Sequence, residues 1–253
     1  MIRYAMLGSG SAGNATVVCA GQTRVLVDCG FPAVETSRRL ARLGLTPADL
    51  TGVLVTHEHG DHLGGVAPFA RRHQLPVWLT AGTLAAWNDP VTELRPFSPH
   101  ARFAIGDLDI EPYPVPHDAR EPSQYVFSDG ARRLGLLSDA GCITPHIRTT
   151  LNACDALLLE CNHDHAALMN GPYPLSLKRR VGGDRGHLSN AQAAALLESI
   201  DCTRLRHVAL IHLSETNNAP ALALGAVAAA LGCTPDWIDC ADQADGLAWR
   251  ELS

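Results

Sequence analysis

The feature that most constrains this chain is the heptapeptide THEHGDH at positions 56–62, which directly follows an apolar segment, Val53–Val55. A short apolar run of this kind predicts a buried strand. The first two histidines, His57 and His59, are two residues apart, so in extended backbone their imidazoles point the same way and can share one metal ion. The glycine after them permits a sharp turn, so that Asp61 and His62 can address a second metal position. Imidazole and carboxylate donors suit zinc, with manganese or iron as alternatives.

Composition excludes several classes of protein. The chain has 253 residues, 46% of them hydrophobic, and a net charge of −6. It can bury a substantial core, but as a whole it is not a basic protein that binds nucleic acid non-specifically. No apolar run reaches the roughly 18 residues of a membrane span, and the first residues show no signal-peptide pattern. We therefore expect a cytoplasmic protein that does not associate with membranes.

Strand-like and helix-like segments alternate along the chain in two groups, which predicts two packed sheets with helices outside. Without a linker or a repeat, residues 1–253 are expected to form one domain. Strands are predicted at 2–7, 15–20, 23–28, 52–56, 77–79, 108–115, 123–128, 132–138, 156–160, 208–211 and 246–250. Helices are predicted at 33–43, 66–73, 145–152, 190–200 and 220–231.

The HxHxDH pattern after an apolar strand resembles the metallo-β-lactamase fold superfamily, which includes glyoxalase II, ribonuclease Z and several nucleases. Further motifs extend the resemblance over most of the chain: SGSAGN before position 15, PHDA at 116–119, SDAG at 138–141, ECNHD at 160–164, YPLSLKRR from 173, GHLSN from 186 and IHLSETNN from 211. Together they are similar to the YycJ/WalJ-like branch, whose members are regarded as 5′-to-3′ exonucleases on double-stranded DNA. That branch usually has ESNHD where this chain has Cys161. The resemblance implies a four-layer αββα sandwich with its site at the sheet edges.

Further candidate ligands follow later apolar strands. The resemblance implies that His117 completes the imidazole set of the first metal and that Asp139 bridges two metals. His212 ends the strand predicted at 208–211, so it is expected at the same sheet edge as the early histidines. It competes with His187 for the place of last ligand. Resemblance to ribonuclease Z gives His187 the role of proton donor, and the sequence leaves the reverse assignment open. We assign Asp61 and His187 to catalysis.

Other residues are candidates for substrate contacts or for supporting the site. Phosphate or DNA backbone contacts are predicted for a basic cluster and for a Gly/Ser-rich loop, through Lys178, Arg179, Arg180, Arg185, Ser11 and Asn14. For the basic cluster, a solvated helix face is an equally good interpretation. Glu160, His163 and Asp164 follow a strand and could orient His187 or a ligand, although Asn162 or Asp164 could equally cap a helix.

The ligand pattern thus predicts a hydrolase with two divalent metal ions that cleaves phosphodiester bonds. The resemblance to the YycJ/WalJ-like branch implies that its substrate is DNA and that cleavage proceeds from the 5′ end. A small-molecule hydrolase that uses the same site on a thioester, lactone or cyclic phosphodiester is the main alternative, and the acidic net charge favours it. A binding protein without turnover is a third class. The intact ligand pattern together with His187 argues against that class.

Overall fold

Two seven-stranded sheets form the centre of the computed structural model, which describes residues 1–90 and 93–253. The first sheet contains, in spatial order, β14 (Leu247–Leu252), β1 (Ile2–Gly8), β2 (Ala15–Ala20), β3 (Thr23–Val27), β4 (Gly52–Leu54), β5 (Val77–Thr80) and β6 (Leu94–Phe97). The second contains β13 (Asp239–Cys240), β12 (His207–Ile211), β11 (Ala156–Glu160), β10 (Arg133–Leu137), β9 (Ser123–Ser128), β8 (Leu108–Pro114) and β7 (Phe103–Ile105). All the predicted strands are present.

Helices follow the strands. They are α1 (Ala33–Arg42), α2 (Gly60–Leu63), α3 (Val66–His73), α4 (Ala81–Ala85), α5 (Pro145–Leu151), α6 (His165–Asn170), α7 (Leu175–Val181), α8 (Asn190–Ser199) and α9 (Pro220–Leu231). Short 3-10 helices lie at Pro47–Asp49 and Pro235–Trp237. The five predicted helices are confirmed within a residue or two. Within the described chain, no helix has the length and apolar character needed to cross a membrane.

Alternating side chains of the strands divide the core into three apolar clusters. Between the sheets, Tyr4 of the first packs in the same cluster as Phe127 and Leu158 of the second. The outer face of the first sheet is covered by α1 and α3, with Phe69 fully buried. The outer face of the second is covered by α5, α8 and α9, where Val227 is buried. The predicted four-layer αββα sandwich is therefore confirmed, while its description as one domain stays a prediction.

Strand direction brings the polar residues to one edge. The strands β3, β4 and β5 run parallel to one another, as do β10, β11 and β12. Side chains just beyond the carboxyl ends of parallel strands meet at the same edge of a sheet. Three of the residues there, Asp28, Asp139 and His212, have left-handed backbone with φ of 60°, 53° and 55°. Such conformations are uncommon outside glycine and concentrate at functional sites.

Candidate metal centre

Three imidazoles form the first group of candidate ligands, His57, His59 and His117. The His59 and His117 rings meet at an interplanar angle of 71°, with 3.2 Å between Nδ1 of His59 and Nε2 of His117. The His57 ring lies 4.6 Å from the His59 ring and 4.9 Å from the His117 ring, centroid to centroid. His57 is fully buried, and its Nε2 has no hydrogen-bond partner among the described residues. A cation between these rings would satisfy that nitrogen, so the residues fit a metal ion.

The second nitrogen of most candidate imidazoles is already bonded. His117 Nδ1 donates to the carbonyl oxygen of Gly186 at 3.0 Å, and His57 Nδ1 lies 3.0 Å from Thr56 Oγ1. His62 Nδ1 donates to Asp28 Oδ2 at 2.8 Å. These bonds select the tautomer in which Nε2 has its lone pair free, which is the form that binds a metal. Burial lowers the pKa of both His57 and His117, so these rings stay neutral.

The second group, Asp61, His62, Asp139 and His212, mixes carboxylates with imidazoles. His62 Nε2 lies 3.1 Å from Asp139 Oδ2 and 3.4 Å from Asp61 Oδ2. His212 Nε2 lies 3.3 Å from Asp61 Oδ2 and 3.5 Å from Asp139 Oδ1. Asp139 Oδ1 is also 3.9 Å from His117 Nε2 in the first group. Asp139 therefore lies between the two groups, as a bridging ligand must.

Electrostatics around the second group favour positive charge. Burial alone disfavours a charged His212, but the carboxylates of Asp139 and Asp61 outweigh it and raise the pKa of His212 to about 9. In the same way Asp139 and Asp28 raise the pKa of His62 against the effect of burial. His212 and His62 in turn hold the pKa of the buried Asp139 carboxyl well below its usual range. A site that stabilises cations this strongly suits divalent metal ions.

Asp28 supports the site and was not predicted from the sequence. Besides the bond from His62, its carboxylate accepts the backbone N–H of Thr56 at 2.8 Å and the Thr56 hydroxyl at 2.8 Å. It therefore fixes both the start of the THEHGDH segment and the His62 ring. The available signal was an aspartate at the end of the apolar strand β3, followed by a glycine two residues later.

Glu160 and His187 form a hydrogen-bonded pair at the edge of the second group. The fully buried Glu160 carboxylate accepts His187 Nδ1–H at 2.7 Å and the backbone N–H of Ala140 at 3.0 Å. His187 Nδ1 also lies 3.6 Å from Asp139 Oδ1. The His187 ring is 21% exposed. It lines a cleft, together with Asp61, Asp139 and Arg180, that we call the catalytic cleft. A metal ion could also be held by a group of four residues, Glu160, His187, Asp139 and His212. This group corresponds to the assignment that the sequence leaves open, in which His187 is a metal ligand.

The Gly/Ser-rich loop between β1 and β2 contacts the site in two ways. Ser11 is exposed and lines the cleft. Asn14 is 7% exposed, and its amide donates to the Gly10 carbonyl at 3.0 Å and to Asp61 Oδ2 at 3.3 Å. The contact of Asn14 is thus with Asp61, and its predicted contact with substrate stays a prediction.

The predicted basic cluster divides between the cleft and the surface. Arg180 lines the cleft and donates from Nε to Asp118 Oδ2 at 2.6 Å. Burial opposes the charged form of Asp118, but Arg180 outweighs it and lowers the pKa of that carboxyl. The Lys178 ammonium donates to the Met169 carbonyl at 2.7 Å. Arg179 and Arg185 are exposed at and beyond the end of α7. Only Arg180 of the four lines the cleft among the described residues.

The remaining candidates, His163 and Asp164, lie between β11 and α6. Asp164 is the N-cap of α6 and accepts the Ala167 N–H at 2.9 Å, so the capping interpretation is confirmed. His163 is fully buried, and burial lowers its pKa to about 4. Its Nδ1 has no partner in the part of the chain described. Of the three residues predicted to orient His187, it is Glu160 that contacts the ring.

Comparisons with known proteins agree with this fold and geometry. A model described as the beta-lactamase superfamily domain matches residues 23–213. The structure of the metallo-beta-lactamase fold protein YhfI from Bacillus subtilis has a TM-score of 0.76 to this chain, at 18% identity and with 99% of each chain covered. The protein therefore belongs to the metallo-β-lactamase superfamily.

Two curated relatives identify its branch. Exodeoxyribonuclease YycJ of Bacillus anthracis is 35% identical over 227 residues, which cover 88% of this chain and 86% of that protein. Exodeoxyribonuclease WalJ of Streptococcus pneumoniae is 32% identical over 228 residues, covering 87% and 85%. Within the superfamily the chain is thus a member of the YycJ/WalJ branch.

Proposed function

We propose that this protein is a metal-dependent exodeoxyribonuclease that hydrolyses double-stranded DNA from the 5′ end. Two relatives named as exodeoxyribonucleases, each similar over most of this chain, support DNA as the substrate. The 5′-to-3′ direction and the cytoplasmic location are taken from the sequence analysis and stay predictions. The observation that carries the chemistry is the Glu160–His187 pair, 2.7 Å apart, beside the two groups of candidate ligands.

We assign one metal ion to His57, His59 and His117, and a second to Asp61, His62 and His212, with Asp139 shared by both. Imidazole-rich donor sets with a few carboxylates suit zinc, and manganese or iron are alternatives set by availability. Divalent ions at such a site supply Lewis acidity and a nucleophilic water at neutral pH. Among the protein groups, Asn14 and Asp28 hold Asp61 and His62 in place.

His187 is assigned to proton transfer. Because Glu160 holds Nδ1–H, Nε2 is the atom left to deliver a proton to the departing alkoxide. The ring's partial exposure at the cleft allows it to reach a bound substrate. The buried Glu160 carboxylate also fixes the orientation of the ring.

Arg180 and Ser11 are assigned to the phosphate. Both line the cleft of about 370 Å³ that also contains Asp61, Asp139 and His187. A guanidinium matches the geometry of phosphate oxygens, and Arg180 is 62% exposed, so it can leave Asp118 to bind one. Arg179 and Arg185 are placed on the surface, where they can contact more distant phosphates.

The experiment is hydrolysis of 5′-phosphorylated duplex DNA by protein loaded with manganese or zinc, with a generic thioester as the competing substrate. Release of nucleotides from the 5′ end, lost in Asp61→Asn, is the expected result. Conservative replacement at Asp61 keeps the volume of the side chain but removes its charge. Turnover of the thioester alone would identify a small-molecule hydrolase and contradict the proposal. Full activity on DNA in the Asp61 variant would contradict the assigned site.

A further inference from the structure

A second cavity of about 200 Å³ lies directly beside the cleft, and we call it the Trp87 groove. One wall is formed by Gly60, Leu63 and Ala67 of α2 and α3. The other is formed by the segment after α4, which includes Trp87 and Asp89. Gly60 lines both the groove and the catalytic cleft, so the two cavities adjoin at the THEHGDH segment.

Contacts within the protein hold Trp87 in place, including the one hydrogen bond that its indole N–H can donate. Its indole is half-buried and packs against the apolar cluster of the first sheet's outer face. Its Nε1–H donates to the carbonyl oxygen of Asp89. A ring fixed on one side by packing and on its edge by a hydrogen bond offers its remaining surface to the groove. Rigid aromatic rings of this kind are stacking platforms for planar ligands.

The negative charge of the groove disfavours a phosphate group, so the part of a nucleotide that suits it is the base. Glu58 and Asp89 line it, and of the described residues that do so none is a lysine or an arginine. Glu58 Oε1 accepts the Arg120 N–H at 2.8 Å, whereas Oε2 is buried and has no hydrogen-bond partner within the described chain. A groove lined by an aromatic ring and by a residue with an acceptor that has no partner suits a flat, uncharged group with N–H donors. A nucleobase with an exocyclic amine has this chemistry.

We propose that the Trp87 groove binds one nucleobase of the DNA strand whose phosphate occupies the cleft, stacked on Trp87 with its amine directed to Glu58. The inference rests on the proposed nuclease function, because it requires a DNA strand in the cleft. It extends that function by assigning a base-binding subsite to residues that the reaction itself does not need. Stacking is tolerant of base identity, so the subsite gives affinity and register more than sequence specificity.

The experiment compares base-bearing DNA with DNA that lacks one base. A series of 5′-phosphorylated duplexes carries a single abasic tetrahydrofuran residue at each of the first few positions of the 5′ end. The wild-type protein with manganese is expected to cleave one or two of these substrates more slowly than the intact duplex, by about 5- to 150-fold in kcat/KM, as expected for the loss of one stacked base. This measurement needs no variant protein.

Two variants then locate the effect. Trp87→Leu is expected to slow cleavage of the intact duplex by a similar factor but to leave the sensitive abasic substrate unchanged, and Trp87→Phe is expected to keep most of the activity. Trp237→Leu is the matched control, since Trp237 is 42% exposed and lines neither cavity. Equal losses on both substrates would show a structural role for Trp87 and overturn the inference.

The remaining outcomes are also decisive. If the wild type cleaves every abasic duplex as fast as the intact one, no base is bound and the inference is wrong while the nuclease function stands. If the wild type hydrolyses neither DNA, the proposed function is wrong and the subsite is lost with it. Slower cleavage of one abasic duplex by the wild type, together with equal rates on that duplex and the intact one in Trp87→Leu, supports the subsite.

Discussion

Replacement of Glu160 by glutamine tests the role assigned to His187. The Glu160 carboxylate is fully buried and accepts three N–H groups, from His187 at 2.7 Å, Ala140 at 3.0 Å and Leu188 at 3.3 Å. Glutamine keeps the shape of the side chain but replaces one acceptor oxygen with a donor. At least one of the three N–H groups then faces another donor. The two backbone N–H groups cannot move away, so His187 Nδ1–H is the donor that loses its acceptor.

The size of the effect follows from the hydrogen bond that is lost. A bond between a charged and a neutral group contributes about 1.5–3 kcal/mol. If that free energy holds His187 in its productive orientation, its loss lowers kcat by about 10- to 150-fold. KM is expected to change little, because the phosphate contact is assigned to Arg180, which does not touch Glu160. Metal content is expected to stay at the wild-type value, since His187 is assigned to proton transfer.

The assay is steady-state hydrolysis of 5′-phosphorylated duplex DNA, with bound metal measured by mass spectrometry in the same samples. Glu111→Gln is the matched control, because Glu111 is a partly exposed glutamate that pairs with Arg102 and Arg133 away from the cleft. An unchanged kcat in Glu160→Gln would refute the role of His187. Loss of one metal ion per chain would instead make Glu160 and His187 ligands, contrary to the proposed assignment of His187 to proton transfer.

Three further replacements test other parts of the site and of the fold. Asp28→Asn removes the charged acceptor of His62 Nδ1–H, so metal affinity is expected to fall about 10- to 100-fold in a competition titration with a chelator; unchanged affinity would contradict the role of Asp28. Arg180→Ala is expected to raise KM for DNA about tenfold with a smaller change in kcat, and an effect on kcat alone would place Arg180 elsewhere in the mechanism. Asp155→Ala removes a buried carboxylate that accepts from Arg132 and Arg204, so the free energy of unfolding in urea is expected to fall by about 1–3 kcal/mol with metal content unchanged; an unchanged unfolding midpoint would refute that estimate.

Much of the fold could be predicted because the apolar strands are long and regular. Segments such as 15–20 and 156–160 are apolar except for Thr16 and Glu160, and they form inner strands of the two sheets. The helices α2, α4, α6 and α7 were not predicted, since each has seven residues or fewer and too few turns for a periodic pattern. The edge strands β6, β7 and β13 were missed for a similar reason: they have four, three and two residues, and β6 contains a proline.

The candidate site could also be predicted only in part. Candidate ligands at strand ends are visible in a sequence, because a polar residue follows an apolar run, and the resemblance added roles for His117 and Asp139. The structure brings all seven candidates into neighbouring groups. Contacts between distant segments are not visible. The bonds from His62 to Asp28 and from Arg180 to Asp118 join residues 34 and 62 positions apart. These pairs come into contact only when the two sheets and their helices have packed, so no local sequence pattern indicates them.

The metal positions themselves are the central claim, and anomalous diffraction from crystals grown with zinc or manganese tests them most directly. Two anomalous peaks are expected for each chain. One should lie among the rings of His57, His59 and His117, the other should contact His62 and His212, and the Asp139 carboxylate should reach both. A single peak, or a second peak held by Glu160 and His187 in place of His62, would contradict the account.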